Sequence, residues 1–289
     1  GARQLFIAGH GEGKPSPALR ASAHPLADIA AERATSGTTI TLADGEEGGT
    51  VQLLHVGTSG SAHGVTRITL GRGAKLTVVE HFFDNGENHW LNHLVTERCW
   101  TELAADACFR QILMADGQGA VRSEAHVDLI GKGAHAHVNG ALLGDKQAKI
   151  DVLTRLNHNV PDTNSDQVFR LVAADRADLS IAGGVNVARD AQRTDGNQSL
   201  KGLVLKRTAS CNLKPELEIF ADDVKCNHGA TIGELDKHAL FYLESRGVAE
   251  EEAVALLTEA FVADVFQGIP EALAMLLEEE GRTWLERRT

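Results

Sequence analysis

Cys226 and His228 stand two residues apart in "DDVKCNHGATIGELDKHALFYLESRG", at the point where the pattern of the chain changes. If the strand ending in "DVKC" runs on through them, both side chains leave one face, because successive strand residues alternate. A thiolate and an imidazole are ligands for iron, zinc or copper(I). Two ligands do not complete a site, so the rest must come from elsewhere in the fold or from another chain. The same groups could act as a nucleophile and its base, or be a strand-end cysteine beside an exposed histidine.

Other polar groups read as structural. His135 and His137 in "GAHAHVN" share a strand face and are expected to face solvent. "EHFFDNGENHWLNH" gathers His81, Asp84, Glu87, His89 and His93 at a spacing that fits no standard metal motif, and reads as a polar turn between strands. Cys211 alternates with Leu213 and reads as core. Cys99 and Cys108 flank Trp100 and Phe109 and read as packing residues. "GKPS" and "GRGAK" lack the GxxxxGK[ST] order of a phosphate-binding loop.

These residues must be positioned by the elements around them. Across roughly 50–225 short alternating runs recur, such as Thr66-Ile68-Leu70 and Val185-Val187, and period 2 marks strands. "LGRGAKLTVV", "LAADACFRQI", "IGKGAHAHVN", "VAADRADLSI" and "LKRTASCNLK" share one form: an apolar residue, a three-residue turn, an alanine, then a strand. The alanines fall at 74, 107, 134, 177 and 209, with a weaker copy at 148. Their spacing is near thirty residues with one half-step. A strand-only repeat of that size predicts a β-solenoid; the competing reading is a β-sandwich. After Gly233 the period becomes 3.6. Asp236 is a plausible N-cap, Gly247 a C-terminal glycine, and further helices are expected over Glu250–Gln267 and Pro270–Glu280. The division is therefore an irregular segment over 1–50 holding one short strand, "RQLFIAG", and a helix at "PLADIAAERA", then a core over 51–233 and a helical domain over 234–289.

The 289 residues suffice for one large and one small domain, and a hydrophobic content of 43% with 24% charged residues reads as globular. Aromatics are only 4%, so Val, Leu, Ile and Ala must fill a narrow interior. A formal charge of −12 argues against nucleic acid as the main partner. The four cysteines make no CxxC pair, and without a signal peptide they suit a reducing cytoplasm.

"KPELEIFADDVKCNHGATIGELDKHALFYLESRG", Lys214–Gly247, resembles the SufD branch of the SufB/SufD family of iron–sulfur cluster assembly proteins, without a gap. "VTRITLGRGAKLTVVEHF", "TRLNHNVPDTNSDQVFRLV" and "ARDAQRTDGNQSLKGLVL" extend the likeness more weakly. The resemblance implies a right-handed parallel β-helix with a C-terminal helical domain. It implies a non-catalytic scaffold that pairs with SufB, docks the ATPase SufC through its helices and supports iron acquisition. Separately, a last coil left uncapped by its own chain offers open strand edges, so a homodimer is expected when the chain is isolated. The resemblance also makes His228, with Cys226 beside it, a proposed iron or cluster ligand at the SufB interface. Asn227, Phe220 and Glu234 depart mildly from the family pattern, and the helical region usual before the core is expected to be lacking. A β-helix hydrolase or lyase, or a homodimeric iron-binding protein, are the competing functions.

Overall fold

The structure is a computed structural model that describes residues 3–8, 36–56, 60–83, 93–117 and 119–287. Strands alternate between two parallel sheets. The first holds, in spatial order, β1 (Arg3–Ala8), β3 (Glu47–Val56), β5 (Lys75–Phe83), β7 (Cys108–Gly117), β9 (His135–Gly144), β11 (Asn164–Ala173), β13 (Thr194–Val204) and β15 (Val224–Gly233). The second holds β14 (Ser210–Ile219), β12 (Asp178–Val187), β10 (Lys149–His158), β8 (Ala120–Leu129), β6 (His93–Leu103), β4 (Gly60–Leu70) and β2 (Ser36–Leu42). Each strand therefore pairs with the strands two before and two after it. Asn164 pairs with His135 and Asp195, which are 29 and 31 residues away. This is a parallel β-solenoid in which one coil is two strands and two turns.

The alanine repeat has a direct structural cause. Each alanine closes a tight turn by donating its N–H to the carbonyl three residues back, as Ala74 does to Gly71, Ala134 to Gly131 and Ala177 to Ala174. Its methyl group is then buried against the stack, and at 74, 107, 134, 148 and 177 exposure is at most 1%. Ala74, Ala107 and Ala134 precede strands of the first sheet, whereas Ala148, Ala177 and Ala209 precede strands of the second. The half-step in the repeat is the crossing from one edge of the solenoid to the other.

Between the sheets lies one apolar column, with Phe109, Phe169, Ile68, Leu103, Leu142 and Leu171 all fully buried. Large and small residues alternate along it. A Cβ at Gly140 would lie 2.4 Å from the Phe169 ring, so the glycine makes room for the aromatic in the next coil. On the outer faces, amide ladders link successive coils: Asn157 donates to Asp128 at 2.7 Å and Asn186 to Asn157 at 2.8 Å.

The segment 1–50 is not irregular where it is described. β1 and β2 are members of the two sheets, in register with β3 and β4. The alternation Thr38, Ile40, Leu42 is too rich in threonine and glycine to stand out. The helix expected at "PLADIAAERA" lies outside the described residues.

Beyond β15 come α1 (Lys237–Ser245), α2 (Glu250–Val262), a 3₁₀ turn (Ala263–Phe266) and α3 (Glu271–Glu286). Asp236 caps α1, its carboxylate accepting from the N–H groups of His238 and Ala239. Gly247, at φ +89°, closes α1: its N–H reaches the Glu244 carbonyl and that of Val248 reaches Leu243, the Schellman arrangement. α1 buries none of its residues, and α2, the 3₁₀ turn and α3 do not sit on the end of the solenoid. They lie on the flank of the first sheet, where Val262, Val265, Phe266, Leu273, Leu277 and Trp284 cover Val79, Ile112, Met114, Leu143 and Val172. Arg170, 3% exposed, fixes the contact by an ion pair to Asp264 at 2.5 Å.

Candidate functional site

β15 and β14 are the last strands of their sheets, and each is paired on one side only. Val224, Cys226 and His228 follow the register of Thr194, Gly196 and Gln198 in β13, which are buried inside the solenoid. Cys226 and His228 therefore share the inward-facing side of the terminal coil, with no further coil above them among the described residues. Cys226 is half-buried beside Val185 and Val187, and His228 is exposed. Around this open end Phe220 is 66% exposed and Ile232 52%.

Beneath the pair the interior turns polar. His158 is held inside the solenoid between Thr163 Oγ1 at 2.7 Å and Ser165 Oγ at 2.9 Å. Thr163 spends its own proton on the Val160 carbonyl at 3.2 Å. It must therefore accept from His158 Nδ1–H, which leaves Nε2 as the acceptor for Ser165. One coil further on, Gly196 leaves a gap in the column. A Cβ built there would lie 3.6 Å from Ser165 Oγ and 3.5 Å from Cys226 Sγ. Gln198, one strand below His228, donates to the Gly183 carbonyl at 2.9 Å, and its buried Oε1 has no hydrogen-bond partner among the described residues. A polar column thus leads from His158 to the open end, finishing in an unpaired acceptor under the candidate ligand. Sequence reasoning missed it because its members come from strands about thirty residues apart. The only signal was the excess of Thr, Asn, Ser and Gln in "NHNVPDTNSDQ", where core positions should be apolar.

Burial pushes the Cys226 thiol up from its ordinary value; a hydrogen bond from the Gly196 backbone acts against this, and Asp195 adds to it. An attacking cysteine needs the opposite shift. The nucleophile–base reading of the pair is therefore not supported, whereas a ligand cysteine can lose its proton to the metal. Among the described residues no other His, Cys, Asp or Glu joins Cys226 and His228 in a group of three ligands.

The remaining candidates separate. Cys211 is 8% exposed and its thiol is pushed up to about 12 by burial, with Asp178 adding to the shift, as suits a core residue. Cys108 is not a core residue: it alternates with buried Phe109 and lies half-buried on the outer face. His81 is part-buried on β5. Its Nε2 bonds Asp116 at 2.7 Å, and Asp116 also receives Arg287 from the C-terminal end at 3.0 Å. Asp84, Glu87 and His89, and the side chains of His93 and Cys99, lie outside the described residues. His135 and His137 do share a face, but it is the partly covered outer face of the first sheet. The register there adds Asp166 from β11.

A family profile described as SUF system FeS cluster assembly, SufBD core domain, matches residues 27–261. The chain belongs to this SufBD core family. It is 30% identical to the iron–sulfur cluster assembly protein SufD of Escherichia coli (strain K12) over 72% of this chain and 55% of that one. It is 32% identical to an iron–sulfur cluster assembly SufBD family protein of Synechocystis over 71% of this chain and 44% of the relative. SufD of Plasmodium falciparum is 30% identical over 75% of this chain and 14% of its own. The chain spans about half the length of the first two of these SufBD relatives.

The polar interior of this SufBD core has a thermodynamic signature. Burial lowers His158 to about 4, so the folded state holds it neutral. Such a group contributes its stability fully above the unfolded value near 6.5 and loses it as pH falls from 6.5 towards 4. His55, lowered to about 4 chiefly by burial, acts in the same window. Glu80, raised to about 7 by burial, acts in reverse: its contribution is complete below 4.5 and lost as pH rises to 7. Comparing wild type with His158→Asn cancels the other two groups. The difference in their unfolding free energies should shrink by about 2 kcal/mol between pH 7 and pH 5. Urea denaturation at both pH values measures it, and a pH-independent difference would refute the assignment.

Proposed function

We propose that this chain is a non-catalytic scaffold subunit of SUF iron–sulfur cluster assembly, of the SufD type, working in a reducing cytoplasm. Its open β14–β15 end pairs with a SufB-type subunit, and His228 and Cys226 supply part of an iron or cluster site that the partner completes. Open strand edges recruit further strands, and exposed Phe220 and Ile232 give that edge an apolar rim. In isolation the same edge pairs two copies of the chain. The ATPase SufC docks on the helical segment, where α1 buries none of its residues and exposes Phe241 and Tyr242. The observation that carries the reading is the incomplete ligand pair, turned inward on a coil that nothing in this chain covers among the described residues. The names of the relatives, each an iron–sulfur cluster assembly protein, support it.

The test is co-expression with SufB- and SufC-type subunits, followed by iron and acid-labile sulfide analysis of the purified complex. His228→Ala should leave the complex intact, because an exposed histidine contributes little packing, and should lower iron and sulfide several-fold. Cys226→Ala should lower them less, since its half-buried thiol also packs. Equal content in an intact His228→Ala complex would remove the residue from the site.

A further inference from the structure

The face of the first sheet that looks away from the core carries a second group of ligands. His135 and His137 lie on β9, and Asp166 lies opposite His137 on β11. One ligand atom from each comes within 4.8 Å of the other two. His135 Nε2 lies 3.4 Å from Asp166 Oδ2, and His137 Nδ1 lies 3.3 Å from the same oxygen. A charge-assisted hydrogen bond is shorter, about 2.7–2.9 Å. Donors held roughly 2.0–2.2 Å from a tetrahedral metal ion are separated from one another by about 3.4 Å, which is the spacing seen between Asp166 Oδ2 and each of the two imidazole nitrogens. The carboxylate is oriented by its other side: Asp166 Oδ1 accepts from Asn197 Nδ2 at 3.5 Å, leaving Oδ2 towards the imidazoles. The two rings face each other at 4.1 Å. Burial first, then the neighbouring His135 and Arg110, hold His137 down to about 4, so it is a neutral donor at physiological pH.

The surroundings are built. Paired strands fix all three residues, so their separation does not depend on a loop. Arg110, one strand away opposite His137, is turned to the Gln267 carbonyl at 3.2 Å and lies under Gly268 in the connection between α2 and α3. Gly268 has φ +80°, and a Cβ there would lie 2.8 Å from the guanidinium. The group therefore sits in the angle between solenoid and helical segment, partly shielded but open to solvent.

We propose that His135, His137 and Asp166 form a binding site for a divalent transition-metal ion. Two imidazoles and one carboxylate suit borderline ions such as Zn²⁺, Fe²⁺ and Co²⁺ rather than Ca²⁺ or Mg²⁺, which prefer all-oxygen shells. Three protein ligands leave coordination positions for water or an exogenous group. The site is independent of Cys226 and His228, which lie on the inward face of the terminal coil.

The test uses the full chain carrying Cys226→Ala and His228→Ala, so that the terminal pair supplies no ligand. After chelator treatment it is titrated with Co²⁺ by visible absorption and with Zn²⁺ by calorimetry. One equivalent should bind, with ligand-field bands of a nitrogen–oxygen site. Adding His137→Ala, or the isosteric Asp166→Asn, should weaken binding by roughly tenfold or more, with the far-ultraviolet spectrum unchanged. Asp166→Asn keeps the test valid if His137→Ala fails to fold. No binding at about 100 µM ion, far above the dissociation constant expected of a built three-ligand site, would overturn the proposal. So would binding unchanged in Asp166→Asn.

Discussion

Replacing Trp284 with alanine should loosen the helical segment from the solenoid at a cost of about 3 kcal/mol, near the lower end of the range for deleting a buried aromatic. Trp284 is 1% exposed and lies among Val262, Leu277 and Leu285 in the cluster that covers the first sheet. Removing it leaves a hole between α2 and α3 at the place where they meet Leu143 of the first sheet. The lower end applies because a cleft of about 270 Å³ already borders the indole, so neighbouring side chains can settle into the space. Arg170–Asp264 and the Asn139 bond to the Val265 carbonyl at 3.3 Å remain, so the segment loosens before it detaches. Limited proteolysis should cut between Gly233 and Glu250 sooner in Trp284→Ala, while β-sheet circular dichroism persists. A variant with wild-type cleavage and wild-type denaturation would show that the segment is held elsewhere. The same geometry explains why deleting everything after Asp236 is a poor probe of partner binding. It would uncover Val79, Ile112, Met114 and Val172, now under 3% exposed.

Gly131→Ala should be more damaging still. A Cβ at Gly131 would lie 1.9 Å from the Ala105 backbone nitrogen and 2.3 Å from the Ala104 carbonyl carbon. Those atoms belong to the corresponding turn of the previous coil. They are main chain and cannot rotate away, so the coils must separate locally. Overpacking of this kind costs about 1–3 kcal/mol, occasionally more, and a backbone collision belongs at the upper limit. Gly45→Ala is the matched control. Gly45 has φ +72° but nothing within 4 Å of its built Cβ, so only the left-handed backbone is penalised, by about 1 kcal/mol. Guanidinium denaturation of the two variants should place Gly131→Ala well below Gly45→Ala. The reverse order would mean that the turns of successive coils are not in contact.

Much of this architecture was legible in the sequence, because a solenoid repeats its constraints. Every coil needs a small residue where the turn closes, and the alanines at 74, 107, 134, 148, 177 and 209 record that need even where the strands diverge. Asp236 and Gly247 marked the ends of α1 because capping is local chemistry. What was not legible depends on contacts between coils. Asp166 is 29 residues from His137 and joins it only through the pairing of β9 with β11. Buried His158, Ser165 and Gln198 look like ordinary loop-forming residues until the register turns them inward. The flank position of the helices was likewise hidden, because Ile112, Met114 and Leu143 are apolar residues on the outward side of strands, which read in sequence as more core. Cys226 and His228 stand out in the sequence because their motif is contiguous, and period 2 puts them on one face; that this face is the inward one emerges only from the register with β13.

The one-sided pairing of β14 and β15 sets an energetic gradient along the solenoid axis. In a stack where each coil touches only its neighbours, stability is a sum of nearest-neighbour terms. An interior coil such as β9–β10 is gripped from two sides, and the terminal coil from one. The backbone bonds of the terminal coil therefore open at the lowest free energy, in fraying excursions that do not reach the interior. His228 and Cys226 ride on a terminal coil, which opens before the interior coils do. A docking subunit that supplies the missing neighbour would quench those excursions, so ligand geometry and partner contact would be set together in a single ordering event.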